Sequence, residues 1–497
     1  MVLVLIFIPL FFAGVAAVTG SNRFRPWLLP PAALGHFAAS MLLLARPDPW
    51  PITNWLLIDP PGRLVLLAFT TLFLICAFYC TGYLRLRSDR PNRVFCVCML
   101  IFPAAATLVI CSANFGLMWL AVDASTLSTA PLIFFNRTAQ SLEATWKYLI
   151  ICSVGIALAL LGTFFLAYSS LQPVEPSTQP VLATTMSANP HSAIPSMLMN
   201  DLVNQARNRT LSIPWLKAAF VLLLIGYGTK MGLVPMHTWK PDVYGEAPGV
   251  VGALLAGGLT SCAFLMLLRV ARICAAAGIT RFADSLLVLM GLLSMAVAGA
   301  FLVDQKDFKR MLAYSSVEHM GILAIGLGVG GVAVYGALLH VINNALTKGV
   351  LFLCAGNIHR AYGGKTTATV RGVLRRLPVS GAFFLLGFFA ITGAPPFGPF
   401  ISQLTILTGV INGGRYLVAA LFLLFLLLVF FGMGRTVQSM LLGRPPAATR
   451  HTAFHDGPLT TLPIVAALGV VLLLGLYIPG PLREMLLQAA AYVGGGS

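Results

Sequence analysis

The chain has 497 residues, of which 58% are hydrophobic and only 9% charged, and its mean hydropathy is +0.88. Soluble domains carry about 25% charged residues, so a water-exposed surface of this size is excluded and a polytopic membrane protein remains. The net charge of +17 comes from Lys and Arg set singly in short connections between apolar runs, with no continuous basic face to neutralise phosphates; nucleic-acid binding is set aside.

A spanning helix needs about 20 mostly apolar residues, and fourteen runs meet that pattern. The first, 1–19, lacks a basic leading region and reads as a retained span, not a cleaved signal. Next come 27–45, 63–84, 94–113, 115–135 and 146–168. His36 in the second run is expected to be packed or hydrogen-bonded. The connection 169–212 is rich in Ser, Thr, Pro and Asn and reads as a flexible or lightly structured outer loop; its Asn208-Arg209-Thr210 sequon is discounted. Runs 213–236, 249–271, 283–303, 311–329, 331–357, 379–411, 414–442 and 460–479 follow. A short amphipathic tail, 480–495, leads to Gly-Gly-Gly-Ser, either native or an expression remnant. The nine cysteines lie in or beside apolar runs and none forms a CxxC pair, so iron–sulfur, zinc and disulfide roles are not indicated.

Connections after odd-numbered runs hold 20 Lys and Arg, including Arg25, Lys240 and Lys309, against 8 after even-numbered runs, including Arg46 and Arg269. The positive-inside rule then puts odd connections in the cytoplasm and both termini outside. An even number of spans also requires the termini to share a side.

Ionisable groups at membrane depth are functional candidates by default, and here they are few: Asp123, Lys230, Glu318, His319, His340 and Lys348. His340, Asn344 and Lys348 stand at i, i+4 and i+8, on one helix face. Taken alone, that stripe fits a proton wire and interhelical hydrogen bonding equally. Glu318 and His319 are adjacent and are expected to point different ways, one into the bundle and one toward a cytoplasmic entrance. Two runs carry helix breakers: Pro235 close after Lys230, and Pro395 and Pro396 in the middle of the twelfth. Non-helical backbone at this depth survives only inside protein or beside a water-filled cavity. Matched interruptions point to inverted repeats. The expected fold is therefore an all-α polytopic membrane protein of about 14 helices with interrupted helices 7 and 12. Its expected units are 1–93 (helices 1–3), 94–272 (first five-helix repeat), 283–442 (second) and 443–497 (last helix and tail).

The stretch Gly228-Thr229-Lys230-Met231-Gly232-Leu233-Val234-Pro235-Met236-His237-Thr238-Trp239-Lys240-Pro241-Asp242, followed by Glu246-Ala247-Pro248, resembles a signature of antiporter-like subunits. These serve respiratory complex I, Mrp-type cation/proton antiporters and membrane-bound NiFe hydrogenases. Lys309 to Ser316 and the stripe ending in Lys348 resemble two further signatures. Within the group, Ser141-Leu142-Glu143-Ala144-Thr145-Trp146-Lys147-Tyr148-Leu149, Ser316-Val317-Glu318-His319-Met320-Gly321 and Pro395-Pro396-Phe397-Gly398-Pro399-Phe400 look most like component F of hydrogenase-4 and formate hydrogenlyase.

The resemblance implies a proton-translocating subunit with no catalytic centre or cofactor of its own, in a bacterial or archaeal inner membrane. Its partners would be other membrane subunits and a peripheral redox module with iron–sulfur and possibly NiFe centres. Asp123 would pair with Lys230, a carboxylate tuning the lysine, and His340 and Lys348 would relay onward; Glu143, Glu318 and His319 join the expected path. Three departures stand out: Gln403 where many relatives have Glu or Lys, Ala256 where some have His or Lys, and Asn344 for a histidine. An amide cannot exchange a proton near neutral pH, so loss of the usual outer exit is one expectation. The alternatives are a Mrp-like antiporter subunit and a membrane anchor or energising subunit of an inorganic-carbon capture complex.

Overall fold

The computed structural model describes residues 1–45, 54–87, 90–171, 196–444 and 454–494. Among them the chain is helical, with three isolated β-bridges and no strand. In a bilayer each segment must satisfy its own backbone, which is why apolar runs become helices. In order these are α1 (Val2–Val18), α2 (Leu29–Leu44), α3 (Pro60–Arg85), α4 (Arg93–Cys111), α5 (Phe115–Ile133) and α6 (Ala139–Ser169). Then follow α7 (Met199–Arg207), α8 (Ile213–Met231), α9 (Trp239–Glu246), α10 (Gly249–Leu254), α11 (Thr260–Ala276), α12 (Thr280–Leu302) and α13 (Phe308–Val329). The rest are α14 (Val332–Tyr362), α15 (Val373–Arg376), α16 (Pro378–Ile391), α17 (Gly398–Asn412), α18 (Tyr416–Leu441), α19 (Pro458–Leu476) and α20 (Gly480–Val493). Among the described residues, twelve stretches are long and apolar enough to cross a membrane. The shorter α1 and the α16–α17 pair make up the fourteen runs read from the sequence.

Both expected interruptions are present, and they are built alike. After α8 the chain turns through Gly232 at φ +78°, and a cis Val234–Pro235 bond follows before α9. After α16 it turns through Gly393 at φ +75°, and a cis Pro395–Pro396 bond follows before α17. Only glycine takes that φ without a Cβ penalty. A third irregularity, a π turn at Leu255–Leu259, joins α10 to α11.

The 31-residue α14 runs through the centre, its apolar window wholly buried, as is that of α10–α11. It packs against α13, α16, α17, α10, α19 and α3. The polar residues of α13 and α14 therefore face protein and not lipid, as the cost of exposing them to hydrocarbon requires. His36 is held as expected, 3.0 Å from Thr70 Oγ1 and 2.9 Å from Thr107 Oγ1, with Phe69 and Phe73 edge-on to its ring.

The 169–212 connection is more ordered than expected where described: α7 buries Met199, Leu202, Val203 and Ala206 and packs against α11. Polar composition hid a short amphipathic helix; residues 172–195 lie outside the described residues. Four basic residues assigned to connections are instead buried: Arg25, Lys240, Lys309 and Arg269. Three belong to the larger orientation set and one to the smaller, so the excess stays on the same side. Arg46 and Arg450, also counted there, and the final Gly495–Ser497 lie outside the described residues.

The second break is clamped from α19. A Cβ on Gly475 would run into the Pro396 carbonyl. Because backbone cannot swing aside as a side chain does, Gly475→Ala is expected to destabilise by about 1–3 kcal/mol, the usual range for overpacking. The measurement is the melting temperature of the detergent-solubilised protein, and an unchanged value would show that α19 does not hold the break.

Candidate functional site

A line of buried polar groups runs from α13 across α14 to α17. His319 and His340 lie with ring nitrogens Nδ1 and Nε2 2.9 Å apart, their rings stacked at 5.0 Å. The other nitrogen of His340, Nδ1, is 2.8 Å from Ser402 Oγ on α17. Asn343 Nδ2 donates to the same hydroxyl at 3.4 Å. On the α13 side, Glu318 Oε2 is 3.8 Å from His319 Nε2, and both side chains are buried. This corrects the expectation that one of the pair faces an entrance. Consecutive helical residues diverge by about 100°, but helices enclose α13 on all sides here, so both directions are interior. Lys348, two turns beyond His340, donates to Ser315 Oγ at 2.8 Å and to the Leu312 carbonyl at 3.2 Å.

This arrangement can move a proton. An imidazole that accepts at one nitrogen and releases from the other transfers a proton across its ring. His340 has a polar partner on both sides, and His319 continues the line toward Glu318. Several buried atoms along it make no hydrogen bond among the described residues: Glu318 Oε2, His319 Nε2, Asn343 Oδ1, both amide atoms of Asn344, and Gln403 Nε2.

The first break carries the second group. Lys230, in the last turn of α8, is fully buried and donates to Thr126 Oγ1 on α5, over the Tyr148 ring at 5.4 Å. Asp123 lies one turn earlier on α5 and is half-buried. No ion pair joins it to Lys230 among the described residues; the hydroxyl takes the ammonium instead. Tyr148 Oη is 2.9 Å from Thr129 Oγ1, which extends the hydroxyl row along α5.

Glu143 stands apart from both groups. It is at the start of α6, with a side chain 64% exposed, bonded at 2.7 Å to Lys147. Lys147 also meets Asp242 at 2.9 Å, and Arg310 meets Asp242 at 2.5 Å. The sequence motif marked a surface ion cluster, not a station within the bundle. Pro235, Pro395 and Pro396 sit in the two breaks as read. Gln403 is buried on α17 with its amide against Gly393, and Ala256 is buried in the π turn with only a methyl to offer. Among the described residues no three His, Cys, Asp or Glu converge as a metal site.

Sequence reasoning missed Lys240, Ser315, Ser316, Thr126 and Ser402. The serines and threonine carry no charge and look like ordinary helix residues. Lys240 was misplaced because it follows Pro235, where a connection was expected to begin. It also missed an ion pair: Arg269 on α11 meets Asp59 at the start of α3 through Nε–Oδ2 at 2.9 Å and Nη2–Oδ1 at 2.8 Å, both side chains buried. The same guanidinium donates to the Val109 and Ile110 carbonyls at the end of α4.

Comparison with known proteins places the fold and the family. The hydrogenase-4 component F homolog of Methylacidiphilum infernorum (isolate V4) is 33% identical over 421 residues, covering 82% of this chain and 84% of the relative. NADH-quinone oxidoreductase subunit N of Desulforudis audaxviator (strain MP104C) is 29% identical over 505 residues, covering 96% and 95%. A chain of the membrane-bound sulfane sulfur reductase, an archaeal respiratory membrane complex, superposes with a TM-score of 0.82 at 19% identity, covering 99% of this chain and 97% of that one. Residues 112–429, which contain both breaks and the buried polar line, match the family described as NADH:quinone oxidoreductase/Mrp antiporter, TM, and the chain belongs to that family of antiporter-like membrane subunits.

Proposed function

We propose that the chain translocates protons through Asp123, Lys230, Glu318, His319, His340 and Lys348, driven by redox chemistry on partner subunits. The observation that carries this reading is the buried His319–His340–Ser402 line beside Lys348: titratable groups within hydrogen-bond reach, enclosed by helices. The matched breaks support two five-helix units, 94–272 and 283–442, each holding one interrupted helix and one set of polar groups. Relatives named as hydrogenase-4 and NADH-quinone oxidoreductase subunits support a peripheral redox module, with iron–sulfur and possibly NiFe centres, as the partner. The excess of Lys and Arg supports both termini outside, in a bacterial or archaeal inner membrane.

Gentle detergent purification of the tagged chain from its native membranes, with mass spectrometry of what accompanies it, tests the reading. An iron–sulfur redox module is the expected companion. Recovery with only small Mrp-like membrane subunits, or with a soluble zinc protein of carbon capture, would replace redox-driven translocation with ion exchange or with energised carbon uptake.

A further inference from the structure

Lys240 is buried completely, yet its ammonium has a single hydrogen bond among the described residues, to Ser316 Oγ at 3.3 Å. No carboxylate among the described residues pairs with it. The titratable and charged groups that bear on it are Lys348 on α14, His319 on α13, His237 between α8 and α9, and Tyr244 on α9, whose ring centroid is 6.0 Å away. A permanent charge so placed would be desolvated with no opposite charge to compensate it. Lys309 makes the contrast clear: equally buried, it is held by the Gly245 and Ala247 carbonyls at 2.9 and 2.7 Å, as a structural lysine should be.

Position adds a second argument. The Lys240 side chain lies against Gly232, two residues beyond Lys230, so closely that any Cβ there would strike its Cε. Its head group meets Ser316, whose neighbour Ser315 holds Lys348. Lys240 thus lies between the backbone of the first break and Ser316 beside the α13–α14 line. Gln403 has the same relation to the second break, lying against the positive-φ Gly393. Each break therefore receives a polar side chain from just beyond it, and only the first of these can exchange a proton.

We propose that Lys240 is a proton-carrying residue that connects Lys230 to Lys348. A neutral Lys240 amine takes up, through intervening water, a proton released by the Lys230 ammonium: one N–H bond forms on Lys240 as one breaks on Lys230. It then passes that proton by way of the Ser316 side to a neutral Lys348 amine. One proton moves, and each lysine returns to its starting form when the next arrives. The inference rests on the proton-translocating reading above.

The test uses the complex recovered from native membranes, reconstituted in liposomes and driven by the redox reaction of its partner module. Protons moved per turnover, read with an internal pH dye, is the quantity compared. If the wild-type complex moves none, the proton-translocating reading fails, and this inference with it. If it does, Lys240→Met and Lys240→Arg are both expected to lower protons per turnover by about tenfold or more, since positioned proton carriers commonly contribute factors of about 10². Arg keeps charge and length but cannot release its proton. Full translocation by Lys240→Met would overturn the proposal, and full translocation by Lys240→Arg would reduce Lys240 to a fixed charge. Co-purification reports assembly. If only one variant assembles, its translocation decides; failure of both to assemble would assign Lys240 a structural role and overturn the proposal.

Discussion

Asp123→Asn is expected to abolish coupled translocation while the chain still assembles with its partners. The substitution keeps shape and removes the negative charge together with the ability to take up a proton. Asp123 is half-buried on α5, one turn from the Thr126 hydroxyl that receives Lys230. With the lysine on Thr126 and not on the carboxylate, the structure shows the pair apart. A cycle in which the ammonium moves between hydroxyl and carboxylate would alter its proton affinity at each step, because a nearby carboxylate favours the charged amine and its withdrawal favours release. Removing the carboxylate leaves only one of those two arrangements. The loss expected is on the order of 10²-fold, the range of a positioned acid or base. It is read as protons moved per partner turnover, with co-purification as the measure of assembly. Undiminished coupling in an assembled Asp123→Asn complex would remove Asp123 from the path.

Arg269→Met is expected to have the largest effect on stability. The guanidinium makes two bonds to the Asp59 carboxylate and two more to α4 carbonyls, joining α3, α4 and α11 with no exposure of either charge. Methionine fills similar volume but leaves Asp59 charged and buried, and breaking one side of a buried pair commonly costs about 3–5 kcal/mol. Asp59 also caps α3 by accepting from the Gly62 amide at 3.0 Å. The double variant Asp59→Asn with Arg269→Met keeps the cap and removes both charges, so part of the lost stability should return, as coupled sites do not add. Thermal unfolding in detergent, read with tagged protein yield, gives both values. A single variant that melts like wild type would mean that the pair contributes no net stability.

How much of this was legible in the chain differs between residues. Lys230, Glu318, His319, His340 and Lys348 are each visible because a charge in an apolar run has no inexpensive explanation. Their partners are not visible, since Ser315, Ser316, Ser402 and Thr126 are compatible with any helix. Glu143 shows the opposite failure: its motif is recognisable, yet it ends in a surface cluster with Lys147 and Asp242. Lys240, Lys309, Arg25 and Arg269 were read as connection residues by their distance from run centres. Burial of a basic residue near a helix end depends on what packs beside it, and that is a non-local property.

Composition and hydropathy by themselves determined that the chain is all-helical and membrane-spanning, because each helix satisfies its own backbone within one segment and needs no distant partner. The two breaks were determined in the same way, since proline and positive-φ glycine act on their immediate neighbours. The tertiary structure alone decided that Glu318 and His319 are both interior, that Lys230 donates to Thr126, and that Arg269 finds Asp59. Those contacts join residues from 21 to 210 positions apart, and only the packing of α13 against α14, α5 beside α8, and α3 beside α11 brings them within reach.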